Sequence, residues 1–174
     1  NSRIKTVLIS FSLAYAMSSP VAADHINLQT SNNNQLIMKS SVFKGDDQSL
    51  FAQGLELAVK DMLDHQKDVV LLLDVPELPF FPKDCVRQNK VCSISREDVL
   101  ERQAPHRAMI AAIQARHPTV RTFDPIDIFC DKNSCGIYSG SVLMYRDSHH
   151  MSTEGSNIYG RALHDWMKNN GLQI

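Results

Sequence analysis

Asp68-Val69-Val70-Leu71-Leu72-Leu73-Asp74-Val75 is the stretch that decides the fold class. Five valines and leucines run without a break between two aspartates. A strand with one wet face alternates apolar and polar residues. A continuous apolar run of this length is a strand buried on both faces, and such strands belong to parallel sheets covered by helices on either side. The segments around it agree. Before it, Leu50, Leu55, Leu57, Ala58, Met62 and Leu63 form one apolar face of a helix over 49–65, with Asp46, Asp47 or Ser49 available as its cap. After it, Pro76, Pro79 and Pro82 force an extended loop.

Further along, Ser95 caps a second helical region, with Glu97 and Asp98 favourably placed in its first turn. Pro105 is expected to break or kink it, with the helix resuming over 106–116. Residues 119–123 read as a short strand, and Gly136 and Gly140 mark a hairpin-like piece. Val142-Leu143-Met144-Tyr145 leads into a polar loop. A last helix over about 153–169 buries Ile158, Tyr159, Ala162, Leu163 and Trp166, and Gly171 is its C-terminal stop.

The N-terminal part is less regular. Arg3 and Lys5, the apolar run to Met17 and the Pro20-Val21-Ala22-Ala23 segment imitate a signal peptide. The same run is rich in β-branched and aromatic residues, and a buried strand over 4–16 is the favoured reading. Residues 18–34 read as a polar surface loop and 36–43 as a short strand. The order strand, helix, strand, helix, strand, helix gives an α/β three-layer sandwich with a mainly parallel sheet. Residues 1–174 form a single domain.

Composition narrows the function classes. The 174 residues are 43% hydrophobic and 21% charged, which is ordinary for a soluble globule. A net charge of −1 lacks the basic footprint of a nucleic-acid binder. No apolar run reaches the roughly 18–20 residues that span a bilayer.

The four cysteines fall as two close pairs, Cys85 with Cys92 and Cys130 with Cys135, each in polar loop-like sequence. Disulfides within each loop are favoured over free thiols and over zinc, because neither pair has the tight spacing of a structural zinc site. Closing such a loop contributes roughly 2–2.5 kcal/mol on the loop-entropy account. Disulfides imply an oxidising compartment, the periplasm or the cell exterior.

The chemistry concentrates in Tyr145-Arg146-Asp147-Ser148-His149-His150-Met151-Ser152. A base that deprotonates a serine hydroxyl needs an imidazole with one nitrogen free. A carboxylate on the other nitrogen fixes the tautomer and stabilises the imidazolium. Asp147 and His150, three apart in one turn, can supply both. Taken alone, this spacing is common in solvated loops. His149, His150 and Glu154 are a weaker candidate metal set without a third strong ligand nearby, and His149 reads as substrate-facing or surface. Ser49, four residues after Gly45, fits helix capping better than a nucleophile turn. His25, His65, His106, His117 and His164 read as surface or helix-face residues.

Several features together resemble a known family. The block from Leu143 to Ser152, followed by Glu154-Gly155, resembles the last motif of SGNH (GDSL-type) hydrolases. The nearest likeness is to the SGNH domain fused to multi-pass membrane acyltransferases that O-acetylate bacterial surface polysaccharides. Phe129-Cys130 through Cys135 resembles that subfamily's short cysteine loop. Val69 to Pro76 resembles its central strand, and Phe81-Pro82-Lys83-Asp84-Cys85 through Cys92 its other cysteine loop.

The resemblance implies a flavodoxin-like SGNH fold, with His150 as general base and Asp147 as its orienting partner. It implies no cofactor and no metal. The family's nucleophile lies in a Gly-Asp-Ser block ahead of the strand that aligns with 4–16, and this sequence has no such block. The chain therefore resembles the C-terminal part of a larger protein. The implied function is transfer of an acyl group, acetyl above all, to hydroxyls of a cell-surface polysaccharide on the periplasmic side of the inner membrane. The acyl donor would be delivered by a membrane domain. Two rivals remain: a secreted SGNH carbohydrate esterase, and a non-catalytic carbohydrate-binding module on the same fold.

Overall fold

The computed structural model describes residues 3–11 and 47–173. The expected loop over 18–34, the expected strand over 36–43, a cap at Asp46 and the position of His25 lie outside them. In chain order the elements are β1 (Thr6–Ile9), α1 (Asp47–Asp64), β2 (Asp68–Leu72), α2 (Pro82–Arg87), β3 (Ser93–Ser95) and α3 (Arg96–Arg116). They continue with β4 (Arg121–Phe123), α4 (Ile126–Phe129), β5 (Ser134–Gly136), β6 (Tyr138–Ser139), β7 (Val142–Leu143) and α5 (Thr153–Asn169).

Strands β1, β2 and β4 form a parallel sheet in that order, with Val7 opposite Val69 and Leu71 opposite Thr122. The middle strand, β2, is the uninterrupted apolar run, and its burial explains its composition. Val69, Leu71 and Leu73 pack with Leu55 and Val59 of α1 and with Ile110 and Ile113 of α3. Val70 and Leu72 pack on the other side with Phe123, Tyr159, Leu163, Trp166 and Met167. Alternate side chains of a strand point to opposite faces. Both faces of β2 therefore meet helices from Val69 onward, and its one polar residue, Asp68, stands at the exposed start of the strand. The fold is α/β, with a small parallel sheet and helices against it.

Two expectations need correction here. The strand read over 4–16 is confined to Thr6–Ile9 among the described residues, and it is not fully buried. Ile9 and Phe11 join the core beneath α1 and α3, but Leu8 is 42% exposed. The apolar run signalled a strand but not that one side of it faces water. Nor does Pro105 break the second helix: α3 runs unbroken from Arg96 to Arg116. Proline removes a single backbone donor. The helix is held on both sides of it by Val99 and by Met109, Ile110 and Ile113, all buried, and the packing outweighs that one lost bond.

Both helix-end readings hold. Ser95 Oγ accepts from the Asp98 N–H at 3.0 Å. At the end of α5, Gly171 takes φ +66°. The Gly171 N–H donates to Lys168 O at 3.1 Å and the Leu172 N–H to Met167 O at 3.0 Å, a paired closure that only a left-handed residue allows.

Disulfides Cys85–Cys92 and Cys130–Cys135 close within their own loops, as the spacing suggests. The pairing of β3 with β5 is not evident from sequence. This antiparallel ribbon sets Ile94 opposite Cys135 and so ties the second cross-linked loop to the residues just after Cys92. Around it a third apolar cluster gathers Val75, Leu78, Val99, Phe129, Met144 and Tyr145. That cluster lies beyond the C-terminal end of β2 and supports the Asp/His loop.

Candidate active site

The site is built from the chain just after β2. Gln103 of α3 donates from Nε2 to Asp74 O at 3.0 Å and to Val75 O at 3.3 Å. Arg102 Nε donates to Glu77 Oε2 at 2.7 Å. These contacts hold residues 74–78 against α3, and the held segment in turn anchors the loop after β7. The buried Tyr145 hydroxyl donates to Pro76 O at 2.9 Å, and the Leu78 N–H donates to Ser148 O at 2.8 Å.

The loop is closed on itself by backbone bonds. The Arg146 N–H donates to His150 O at 2.9 Å and the Ser152 N–H to Met144 O at 2.9 Å. Tyr145 and Met151 form an antiparallel bridge across its mouth. Ser152 then caps α5: its Oγ accepts from the Gly155 N–H at 2.9 Å and donates to Leu143 O at 2.6 Å. Residues 146–150 are thereby held in a narrow turn between a strand and a helix.

Within that turn Asp147 faces inward. Its Oδ1 accepts the His149 N–H at 3.1 Å and the His150 N–H at 2.8 Å. Both carboxylate oxygens lie 2.9 Å from His150 Nδ1. Burial alone would raise the Asp147 carboxyl. The two backbone donors and the His150 ring outweigh it and hold the acid well below the usual carboxylate range. A carboxylate at hydrogen-bond distance from Nδ1 favours the tautomer with the proton on that nitrogen, the arrangement in which Nε2 keeps a lone pair. The His150 side chain is 51% exposed against 28% for Asp147, so the ring is open to solvent and the carboxylate is the more sheltered of the two.

The other candidates fall in different places. His149 is half-buried, with its ring 4.1 Å from that of His150 and its Nδ1 3.1 Å from Ser148 Oγ. Glu154 lies in the first turn of α5, outside the group formed by Asp147, His149 and His150, whose ligand atoms lie within 4.8 Å of one another. The third metal-type ligand absent from the sequence reading is thus Asp147 itself. Ser49 lies in the first turn of α1.

His65, His117 and His164 pair with nearby acidic side chains or backbone, in keeping with surface roles. His106 does not fit that reading. It is fully buried on α3 with its ring 4.8 Å from that of Phe11. Its neighbours in sequence, Pro105 and Arg107, disguise a core position.

Gly155 and Tyr145 belong to the motif quoted from the sequence, but their supporting roles were not read there. A glycine in the first turn of a helix lowers helical propensity without evident gain, and that was the available signal. A Cβ on Gly155 would come within 2.2 Å of Met144 O. An open cleft of about 360 Å³ lies beside the loop, lined in part by Lys83, Tyr145, Arg146, Met151 and Glu154. A second, apolar hollow beside Phe11, Leu50 and Phe51 has no part in the Asp/His site.

A family model described as an SGNH domain fused to AT3 domains matches residues 1–165. The chain belongs to that family. The family is one of esterase- and acyltransferase-type enzymes. Searches among curated proteins and among solved structures returned no match for this SGNH domain. Among the described residues no helix is long and apolar enough to cross a membrane.

Proposed function

We propose that this SGNH domain is the extracytoplasmic catalytic domain of a membrane-bound O-acyltransferase. It passes an acetyl or similar acyl group to hydroxyls of a cell-surface polysaccharide, on the periplasmic side of the inner membrane. The fold completed in the intact protein is a three-layer, flavodoxin-like sandwich. The observation that carries the reading is the Asp147 carboxylate bonded to His150 Nδ1 in a rigid turn, with the ring open to solvent. The family's association with AT3 domains supports the transferase over the secreted esterase. Two intraloop disulfides accord with an oxidising compartment.

The Asp147–His150 pair supports a scheme in which a serine of the intact protein is the nucleophile. A serine hydroxyl facing His150 Nε2 gives up its proton to that nitrogen as Oγ attacks the donor carbonyl. Asp147 stabilises the imidazolium that forms, and backbone N–H donors stabilise the oxyanion. Collapse returns the proton to the leaving group and leaves an acyl-serine. The acceptor hydroxyl then attacks, His150 takes its proton in turn, and the serine is regenerated as the ester departs. The cleft beside Arg146 and Lys83 is the place for the acceptor sugar.

Active-site labelling of the intact protein with a fluorophosphonate, followed by peptide mapping, tests the scheme. One serine should be modified, and His150→Ala should abolish the modification. Labelling of Ser49 would move the nucleophile to α1. Labelling that is indifferent to His150 would remove the histidine from the mechanism.

A further inference from the structure

Asp147, His149 and His150 offer two imidazole nitrogens and one carboxylate oxygen, all within 4.8 Å of one another. A tetrahedral zinc ion with bonds of about 2.0–2.1 Å holds its ligand atoms roughly 3.3 Å apart. Here His150 Nδ1 lies 2.9 Å from Asp147 Oδ2 and His149 Nδ1 lies 3.7 Å from Asp147 Oδ1. His150 Nδ1 is also 2.9 Å from Asp147 Oδ1, so both separations to that one oxygen fall on either side of the tetrahedral value. The two imidazole nitrogens lie within 4.8 Å of each other, and rotation of the half-exposed His150 ring closes the set on an ion. Asp147 is already oriented by the backbone N–H groups of His149 and His150, the kind of outer support that metal ligands require. The half-exposed His150 ring leaves a path for entry and room for a water or an incoming hydroxyl as fourth ligand.

We infer that this turn is an inhibitory zinc site, in which His149 converts the Asp147–His150 pair from a base into a chelate. The inhibitory part of the inference rests on the acyl-transfer reading of the site; the binding part does not. The ion takes the lone pair of His150 Nδ1, and the proton that Nδ1 held moves to Nε2. A neutral His150 therefore loses no proton overall, yet its outward nitrogen becomes an N–H donor. It can no longer accept the proton of a hydroxyl, and turnover stops while the ion is bound. His149 is the residue that makes this possible, because a lone Asp–His pair offers only two ligands. Its own Nδ1 exchanges the Ser148 hydroxyl for the metal.

The experiment is a zinc titration of the intact protein, read by competition with a chromogenic chelator and, separately, by inhibition of acyl transfer. The wild type should bind one more equivalent of zinc than His149→Asn. The variant should need roughly tenfold or more zinc for half-inhibition. His149→Asp, which restores a ligand, should recover the lost equivalent, and this separates ligation from a folding defect. Equal stoichiometry in wild type and His149→Asn overturns the site. A lost equivalent with unchanged sensitivity to zinc overturns the inhibition. The chelator assay reads binding without any turnover, so a failed acyl-transfer assignment leaves that arm intact.

Discussion

Gly155, in the first turn of α5, lies so close to Met144 that a Cβ would stand 2.2 Å from the Met144 carbonyl oxygen. Helix and strand can approach in this way only where there is no side chain, and that approach sets the width of the turn carrying Asp147 and His150. Gly155→Ala must push the helix and the strand apart. A cost of about 1–3 kcal/mol is expected from overpacking, together with a fall in turnover as the turn widens. Thermal melting and an activity assay on the same preparation check both. An unchanged melting temperature would show that α5 shifts without strain.

Tyr145 ties this turn to the segment after β2 through the Pro76 carbonyl. Tyr145→Phe leaves that carbonyl without its partner in a fully buried setting. A loss of about 1–3 kcal/mol is expected, because an unpaired buried acceptor costs its desolvation. Urea denaturation measures it, and faster amide exchange at Leu78 should accompany it.

His106 makes stability depend on pH. Burial, with the nearby Arg107 charge, pushes its imidazole down from 6.5 to about 4. Both ring nitrogens lack a partner among the described residues. Above pH 6.5 the ring is neutral whether the chain is folded or not, and its full contribution is present. As the pH falls from 6.5 towards 4, the unfolded chain takes up a proton that the folded one refuses, so stability declines. Between pH 7 and 5 the decline from this group is roughly 2 kcal/mol. Denaturation midpoints of wild type and His106→Leu at the two pH values isolate it: the leucine variant should lose that part of the slope. Identical slopes would contradict the burial of an unpaired ring.

The Cys130–Cys135 disulfide closes the loop that carries β5 and, through it, the ribbon to β3. Replacing both cysteines with serine should cost roughly 2 kcal/mol, the entropy of a short loop, with any strain relief subtracting from it. Peptide mapping without reductant should show this link and Cys85–Cys92. Free or crossed cysteines would contradict both the fold of these loops and the extracytoplasmic assignment.

Asp147→Asn tests the carboxylate separately from the imidazole. The amide keeps the size of the side chain but can present its NH₂ to His150 Nδ1, which favours the tautomer with the proton on Nε2. Turnover should drop by roughly 10³–10⁴-fold. A loss of only a few-fold would mean that the turn alone positions the ring.

How much of this was legible in sequence follows from how local each signal is. Burial of β2 on both faces is written directly as an unbroken apolar run, and the last helix as an apolar stripe with a glycine stop. Asp147 and His150 were legible because both lie in one turn. The β3–β5 ribbon was not, since strands of three residues inside cysteine loops show no periodicity. The continuity of α3 through Pro105 depends on packing to either side, and the burial of His106 on the approach of Phe11, a residue far away in sequence. Contacts of that kind leave no local mark. The nitrogen of His149, 3.7 Å from Asp147 Oδ1, likewise needed coordinates.

Acyl transfer by the intact protein carrying His150→Ala, compared with wild type at matched expression and fold, tests the central claim most directly. If His150 is the base held by Asp147, kcat should fall by several orders of magnitude, with little change in KM for the acceptor. Turnover within a few-fold of wild type would contradict the assignment of this pair as the proton-transfer centre.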